Sequence, residues 1–347
     1  MAVLCSVIAM SHSPFLFTGG EQWARIRELR NLPGRYAPDA PVDPADENMA
    51  KHARCVSALA ELRRQLSAAR PDVLVIFGDD QDEQFSLATV PSLAVYAGEE
   101  FAGYRISRFE GVPLPGTARP ERPKTSEHWA SVRGHPGLGR HLVTGLVRAG
   151  FDPAFMLTLP DQEEGMSHAF MRPLHCLRPA CDLPVVPIFV NCFHGPQPTA
   201  ARCYQVGRAV RELIGSWAAD LRVAVIGSGG LWHTPLDPGA TINERFDADI
   251  LAAVRAGNAR AMAAAFDQGL EAGAAGADVT GMALGYGSGT GETRNWVAAG
   301  AVADGVPGTV VDSVSIWASP IGVAFAYWSP DAPGDTRADT PEEASRA

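Results

Sequence analysis

Five short runs of almost continuously apolar residues constrain the fold of this chain more than any other feature. They occur at 2–9, 73–78, 184–190, 222–227 and 309–315. Strands that are covered by helices on both faces show such unbroken runs, whereas half-exposed strands alternate apolar and polar residues. Helix-length amphipathic stretches lie between them, at 48–69, 136–149, 199–219 and 245–267. The alternation predicts an α/β fold with a central, mostly buried mixed sheet flanked by helices.

The same pattern predicts one domain followed by a short tail. The chain has 347 residues, of which 46% are hydrophobic and 20% charged, enough to bury a sizeable core. We expect residues 1–328 to form one domain and the polar segment 329–347 to be a disordered tail. The segment 110–137, rich in Pro, Gly and Arg, predicts a long surface loop. The segment 269–291, dominated by Gly and Ala, predicts a mobile loop that feeds a site.

Composition narrows the classes of partner and compartment. The net charge of −10 disfavours nucleic acid and anionic membranes as partners. No apolar run approaches the roughly 20 residues of a membrane-spanning helix. Six cysteines form no CxxC pair, and those in or beside apolar runs are predicted to be buried free thiols: Cys5, Cys55, Cys192 and Cys203. The N-terminus lacks the basic region and cleavage site of a signal peptide, so we expect a cytoplasmic protein.

Four polar segments place metal-binding or proton-transfer groups where a strand ends or a helix begins. His12 follows the first apolar run, and Gly78-Asp79-Asp80-Gln81 follows the second. His233 comes just after the glycines that end the fourth run, and Glu292 follows the glycine-rich segment at a predicted helix start. Ligands of open α/β sheets bind beyond the carboxyl ends of the strands. The four segments therefore predict one shared cleft.

Each of these groups also has a purely structural interpretation. His12 can be a turn histidine capped by a neighbouring serine, and the polar residues after 73–78 can form a solvated turn. His233 can face solvent, and Glu292 can stabilise a helix start through the macrodipole. The functional interpretation is a metal centre, because two histidines and a carboxylate on one face of a metal leave the opposite face open. Non-haem iron enzymes use that face for substrate and O₂.

Other catalytic motifs are absent from the sequence. The glycines at 227–230 and 287–291 do not form a GxGxxG motif after a first strand, and no P-loop lysine follows them. The sequence contains no GxSxG nucleophile motif and no HExxH zinc motif. The metal interpretation is therefore the strongest that the residues offer.

The order of the motifs resembles the class III extradiol ring-cleavage dioxygenases, the superfamily of the catalytic subunit of protocatechuate 4,5-dioxygenase. The shared elements are SHSP at 11–14, GDD at 78–80, HPxLxxHL at 135–142, GGxxH at 229–233 and a Glu four residues before Trp296. Other segments are closer to the 3-O-methylgallate and gallate dioxygenase branch: HARC at 52–55, GDDQDEQF at 78–85, GMSHAF at 165–170, RCYQVGRAVR at 202–211 and GETRNW at 291–296. The resemblance covers about residues 2–328.

The resemblance implies Fe(II), a catechol substrate and O₂, with the ring opened next to its two hydroxyls. It makes His12 and Glu292 metal ligands. His233 corresponds to the histidine that accepts a catechol proton and later returns one, and His168 to a second histidine of the substrate pocket. Ser319, in Ala-Ser-Pro at 318–320, matches a serine that holds a substrate carboxylate.

One position departs from the family pattern. Gln81 stands four residues before Phe85, where the protocatechuate enzymes carry their second iron histidine. Three accounts are open: His52 supplies the second imidazole, Gln81 coordinates the metal directly, or the site binds iron poorly. The HARC segment favours His52 as the ligand, with Gln81 beside the substrate.

These implications define the expected function. We expect an Fe(II)-dependent extradiol dioxygenase that cleaves a gallate-, 3-O-methylgallate- or protocatechuate-like catechol. The departure at Gln81 keeps open a zinc-dependent hydrolase or lyase on the same fold, and a non-catalytic scaffold is the third interpretation. The chain resembles the branch that works without a small helical partner subunit, so we expect a homodimer.

Overall fold

A computed structural model describes residues 1–234, 238–273 and 289–330, with the backbone alone for 270–273. The strands are β1 (Val3–Met10), β2 (Val73–Gly78), β3 (Leu93–Tyr96), β4 (Glu100–Tyr104), β5 (Trp129–Arg133), β6 (Ala154–Met156), β7 (Val185–Val190), β8 (Arg222–Ser228), β9 (Thr309–Ile316) and β10 (Ile321–Trp328). The α-helices are α1 (Gly20–Arg30), α2 (Ala45–Ala69), α3 (Pro136–Arg148), α4 (His168–Leu177), α5 (Ala200–Ser216), α6 (Glu244–Arg255), α7 (Ala259–Gly273) and α8 (Thr293–Val302).

One mixed sheet of eight strands organises the fold, in the order β6-β3-β7-β2-β8-β1-β10-β9. The four central strands β7, β2, β8 and β1 are parallel to one another. The strands on either side of them, β3 and β10, are antiparallel to their central neighbours. Parallel strands end at the same edge of a sheet, so the segments that follow β1, β2 and β8 meet there.

The central strands are continuously apolar because both faces of the sheet are covered. Along β1, Val7 and Ala9 belong to one hydrophobic cluster, whereas Ile8 and Met10 belong to the other. Residues from α3, α5, α6, α7 and α8 cover the first face, and residues from α1, α2 and α4 cover the second. The predicted fold class, an α/β domain with a buried mixed sheet, is confirmed.

Two predicted elements differ from the structure. The single helix expected over 245–267 is two helices, α6 and α7, because the Asn258 side chain accepts the N–H of Ala261 at 2.9 Å and caps a new helix start. The predicted surface loop 110–137 is wrong at its end, where β5 pairs with β4 and α3 begins. The buried strand β10 follows β9 and was not among the predicted runs.

Parts of two other predictions lie outside the described residues. These are residues 274–288 of the glycine-rich segment and residues 331–347 of the tail. Within the described residues, no helix is long and apolar enough to cross a membrane. The four cysteines predicted to be buried free thiols are buried and free.

Packing of α2 on the sheet can be tested with two leucines that differ in burial. Leu62 of α2 is fully buried, whereas Leu29 of α1 is 41% exposed. Leu62→Ala should lower the free energy of unfolding by about 2–5 kcal/mol, because it removes buried methyl groups and leaves a cavity. Leu29→Ala should cost less than about 1 kcal/mol. Urea unfolding of both variants measures the difference, and equal costs would contradict the packing described.

Candidate metal centre and active-site cavity

Three buried side chains that can bind a metal converge at the carboxyl edge of the parallel strands. His12 follows β1, Asp79 follows β2, and Glu292 ends the short 3₁₀ turn that leads into α8. One ligand atom from each lies within 4.8 Å of those of the other two. The exposed fractions of the three residues are 3%, 0% and 2%. The cleft predicted beyond the strand ends therefore contains a compact group of one imidazole and two carboxylates, which we call the metal group.

His12 is held with one ring nitrogen toward Glu292. Its Nδ1 lies 2.8 Å from the Ser228 hydroxyl at the end of β8, and its Nε2 lies 3.5 Å from Glu292 Oε2. Burial lowers the pKa of His12 well below its usual value, despite the opposing charge of Glu292. The ring is therefore neutral, which is the form that binds a metal. A serine on the second ring nitrogen is the kind of contact that fixes the orientation of a metal-binding histidine.

Glu292 accepts hydrogen bonds on both carboxylate oxygens. The Gly230 N–H donates to Oε2 at 3.0 Å, and the Gln81 side-chain amide donates to Oε1 at 3.0 Å. His233 Nε2 lies 3.4 Å from Oε1. Burial alone would raise the pKa of Glu292, but the two histidines and these hydrogen bonds outweigh it and lower the pKa to about 2. Glu292 is therefore an anion at any pH near neutrality.

Asp79 completes the group, and one of its oxygens is unsatisfied. Its Oδ2 accepts a hydrogen bond from the Gln81 amide at 3.3 Å. Its Oδ1 is buried without a hydrogen-bond partner among the described residues. Burial and the charge of Glu292 raise the pKa of Asp79 well above its usual value. A divalent cation would satisfy Oδ1 and offset the repulsion between the carboxylates, so these oxygen and nitrogen donors fit a metal ion.

The sequence around Glu292 fixes its position against β8. The Asn295 side chain donates to the carbonyl of Ser228 at 2.8 Å, and the Trp296 indole N–H donates to the carbonyl of Gly229 at 2.7 Å. A β-carbon on Gly229, whose φ is +116°, would lie 2.7 Å from Glu292 Oε2. The glycine at the end of β8 is therefore required by the close approach of Glu292.

Two further histidines, both predicted from the sequence, lie beside the metal group. The carbonyl of Leu231 lies 2.9 Å from His233 Nδ1, so it accepts the proton of that nitrogen and leaves Nε2 directed to Glu292. Burial lowers the pKa of His233, but the charge of Glu292 and its hydrogen bond raise the net value above the usual one. His168 begins α4, and its ring meets that of His12 edge to face, with 4.8 Å between centroids.

A cavity of about 540 Å³ opens beside the metal group. Six of the seven residues predicted to form the site line it: His12, Gln81, His168, His233, Glu292 and Ser319. Four arginines also line it: Arg30 of α1, Arg119 and Arg122 of the segment 106–122, and Arg172 of α4. Such a volume is typical of a small-molecule site.

His52 is the predicted site residue that the structure does not bring to this cavity. Its ring lies edge to face against Trp23 of α1, with 5.7 Å between centroids. It is absent from the cavity lining and from the metal group among the described residues. The structure therefore does not bring His52 to the position of a second imidazole ligand, because α2 directs this side chain into the α1–α2 contact. Asp79 takes the third place in the group.

Sequence reasoning placed Asp79 in the cleft but did not select it as a ligand. The available signal was a pair of adjacent acidic residues after a buried strand. The neighbouring Asp80 accepts the backbone N–H groups of Gln84 and Phe85, both at 3.0 Å, and so stabilises the turn. Asp80 therefore stabilises the turn, whereas Asp79 belongs to the metal group.

Comparison with known families agrees with the motifs. The family described as the catalytic LigB subunit of aromatic ring-opening dioxygenase matches residues 40–314. Because this match covers most of the chain, the protein belongs to that family. The resemblance to class III extradiol dioxygenases that the sequence motifs indicated is confirmed.

Individual relatives are similar over shorter stretches. A gallate dioxygenase of Pseudomonas putida is 38% identical over 106 residues, which are 29% of this chain and 29% of the relative. Two 2,3-dihydroxyphenylpropionate/2,3-dihydroxicinnamic acid 1,2-dioxygenases are similar over more of their length. The one from Klebsiella pneumoniae is 26% identical over 52% of this chain and 49% of its own. The one from Photorhabdus laumondii is 28% identical over 54% of this chain and 50% of its own length. The chain thus spans half or less of these relatives.

The unfavourable burial of the Asp79 carboxylate leads to a prediction of two opposite effects on stability and metal binding. Because its pKa is raised, ionisation of Asp79 destabilises the metal-free protein as the pH rises above the ordinary aspartate value of about 3.9. Asp79→Asn should therefore raise the melting temperature of the metal-free protein at pH 7. The same variant should bind Fe(II) or Mn(II) more weakly. The loss of affinity should exceed roughly 10–100-fold, which is the usual cost of removing a residue that only hydrogen-bonds to a metal ligand.

Asp82→Asn is the matched control, because Asp82 pairs with His194 at 2.8 Å and lies outside the metal group. Calorimetric titration of each metal-free protein with Mn(II), together with thermal melts, measures both effects. Unchanged metal affinity in Asp79→Asn would remove Asp79 from the metal group.

Proposed function

We propose that this protein is an Fe(II)-dependent extradiol dioxygenase that opens the ring of a carboxylated catechol with O₂. The observation that carries the proposal is the metal group of His12, Asp79 and Glu292, beside a cavity that two more histidines line. Membership in the ring-opening dioxygenase family supports the reaction class. The names of these relatives denote dioxygenases of aromatic acids that carry two or three ring hydroxyls, which supports the substrate class.

His12, Asp79 and Glu292 would hold the metal. When bound, Fe(II) supplies Lewis acidity toward the catechol oxygens and the redox chemistry that reaction with O₂ needs. The Gln81 amide donates to both carboxylates and so reduces their repulsion. It keeps them close together on one side of the cavity.

His233 is the proposed acid and base. Its Nδ1 is held by the Leu231 carbonyl, and its Nε2 lies at the cavity wall beside Glu292. With the Glu292 charge neutralised by a bound cation, His233 Nε2 would accept the proton of a catechol hydroxyl at this wall and return it later in the reaction. A β-carbon on Gly289 would lie 2.0 Å from this nitrogen, so the glycine lets the backbone approach the ring.

The cationic part of the cavity would hold the carboxylate of the substrate. The Arg30 guanidinium donates to the Ser319 hydroxyl at 2.5 Å and to the carbonyl of Pro113, which orients both side chains. Burial lowers the pKa of Arg30 to about 10, and the charge of Arg119 also acts to lower it. Glu292 is the sole carboxylate among the described residues that line the cavity. An anionic ring substituent therefore finds uncompensated positive charge here.

We also propose a cytoplasmic homodimer. All six cysteines are free and five are buried, which suits a reducing compartment. The homodimer rests on the resemblance to the branch without a partner subunit. Light scattering after gel filtration tests it, and a monomer would contradict it.

Oxygen uptake is the direct test of the proposed reaction. Anaerobically purified protein loaded with Fe(II) should consume one O₂ per molecule of gallate, 3-O-methylgallate or protocatechuate, with the chromophore of a ring-opened product. Substitution of Zn(II) for Fe(II) should abolish uptake. Turnover with Zn(II) and without O₂ consumption would instead favour a hydrolase or lyase.

The roles of His233 and Glu292 are separated by two substitutions. His233→Phe should retain iron but lower kcat by about 10²–10⁴-fold, the usual contribution of a positioned acid or base. Glu292→Ala should lower iron occupancy itself. Metal analysis and turnover on the same preparations check both, and a His233→Phe variant with near-normal turnover would exclude its role.

Carboxylate recognition is tested by pairing one substitution with two substrates. Ser319→Ala should raise KM for protocatechuate by roughly 10–150-fold, since a hydrogen bond to a charged group contributes about 1.5–3 kcal/mol. KM for 4-methylcatechol, which has no carboxylate, should hardly change. An equal effect on both substrates would show that Ser319 does not contact the carboxylate.

A further inference from the structure

Glu83 holds one edge of the His168 ring. Both carboxylate oxygens lie within hydrogen-bond distance of Nδ1, Oε1 at 2.9 Å and Oε2 at 2.8 Å. The backbone N–H of His168 also donates to Oε1, at 3.0 Å. The side chains are largely enclosed, with 12% of His168 and 20% of Glu83 exposed. Glu83 therefore binds the backbone and the ring of His168 together, at the first residue of α4.

This contact determines which ring nitrogen carries the proton. An ionised carboxylate only accepts hydrogen bonds, so the Nδ1 that faces it must be the donor. Burial raises the pKa of Glu83 to about 7, against the hydrogen bond from the His168 backbone N–H and the charge of Arg172, so the carboxylate is ionised at pH 8. A neutral imidazole carries one proton, so a protonated Nδ1 leaves a lone pair on Nε2.

The other edge of the ring belongs to the active-site cavity. His168 lines the cavity together with His12, His233 and Glu292. Its ring lies edge to face against that of the metal-group residue His12. Since Nδ1 faces Glu83, Nε2 is the ring nitrogen that His168 can offer to a ligand in this cavity.

We propose that Glu83 is a positioning residue that holds His168 as the Nδ1–H tautomer, so that Nε2 accepts a hydrogen bond from a substrate hydroxyl beside the metal group. The identity of the substrate rests on the proposed function, whereas the tautomer does not. The arrangement parallels that of His233, whose Nδ1 is held by the Leu231 carbonyl.

The tautomer can be observed directly. Full-length metal-free protein labelled with ¹⁵N-histidine is studied at pH 8 by long-range ¹H–¹⁵N correlation, and His168→Gln assigns the signals of His168. The expected result is a protonated Nδ1 and an unprotonated Nε2 in the wild type. Glu83→Ala should move the population toward the Nε2–H tautomer. Asp82→Asn, one residue away and bonded to His194, should leave it unchanged.

Two results would overturn the proposal: an Nε2-protonated His168 in the wild type, or the same Nδ1–H tautomer in Glu83→Ala. The wild-type result stands even if a variant does not fold. Kinetics then test the consequence. Glu83→Ala should lower kcat by about 10–100-fold at unchanged iron content, the typical cost of losing an outer-shell partner, and Glu83→Asp should recover part of it.

The two proposals fail in different ways. The expected tautomer in a protein that cleaves no aromatic ring would refute the proposed function but not the positioning of His168. Ring cleavage by a Glu83→Ala variant with wild-type kcat would refute the role of Glu83 but not the dioxygenase.

Discussion

Two carboxylates buried at one edge of the sheet, Asp79 and Glu292, are the constraint on which the site depends. Each is almost fully excluded from solvent, and their charges act on each other. Burial of like charges is costly unless hydrogen bonds or an opposite charge compensate it. Here the Gln81 amide donates to both, and His12 and His233 lie on the Glu292 side. One Asp79 oxygen has no hydrogen-bond partner among the described residues, so a divalent cation would complete this compensation.

This constraint also gives a physical account of the glutamine at position 81. A site of two imidazoles and one carboxylate leaves one positive charge on a divalent metal, whereas one imidazole and two carboxylates neutralise it. Carboxylate oxygens are harder ligands than imidazole and suit Fe(II) and Mn(II) better than soft metals. A histidine at position 81 would bring a second nitrogen ligand. The glutamine instead donates hydrogen bonds to Asp79 and Glu292.

The sequence predicted where the site lies better than it predicted which residues form the site. Apolar runs gave the parallel strands, and the rule that ligands bind at their carboxyl ends brought His12, the residues after β2 and His233 together. Glu292 followed from the family motif. The position of His52, away from the cavity, depended on how α2 packs against α1, which no local pattern encodes. Asp79 was not selected as a ligand from the sequence. Glu83 was missed for the same reason, since its partner His168 is 85 residues away in the chain.

In the fold, too, some elements could be predicted from the sequence and others could not. The central strands were predictable because burial on both faces leaves a continuous apolar signature. The edge elements β3 to β6 are short or alternate in burial, and short apolar runs do not distinguish strand from helix. The break between α6 and α7 depends on one capping side chain, Asn258. Such local signals are weaker than periodicity over a whole helix.

The central claim is that this metal group directs both atoms of O₂ into an aromatic ring. The most direct measurement is mass spectrometry of the ring-opened product after turnover of Fe(II)-loaded protein with protocatechuate under ¹⁸O₂, quenched early to limit exchange with water. The account predicts two ¹⁸O atoms in the product, one at each end of the cleaved bond. A product that carries no ¹⁸O, because its new oxygen comes from water, would contradict the account and show that the metal group serves hydrolysis.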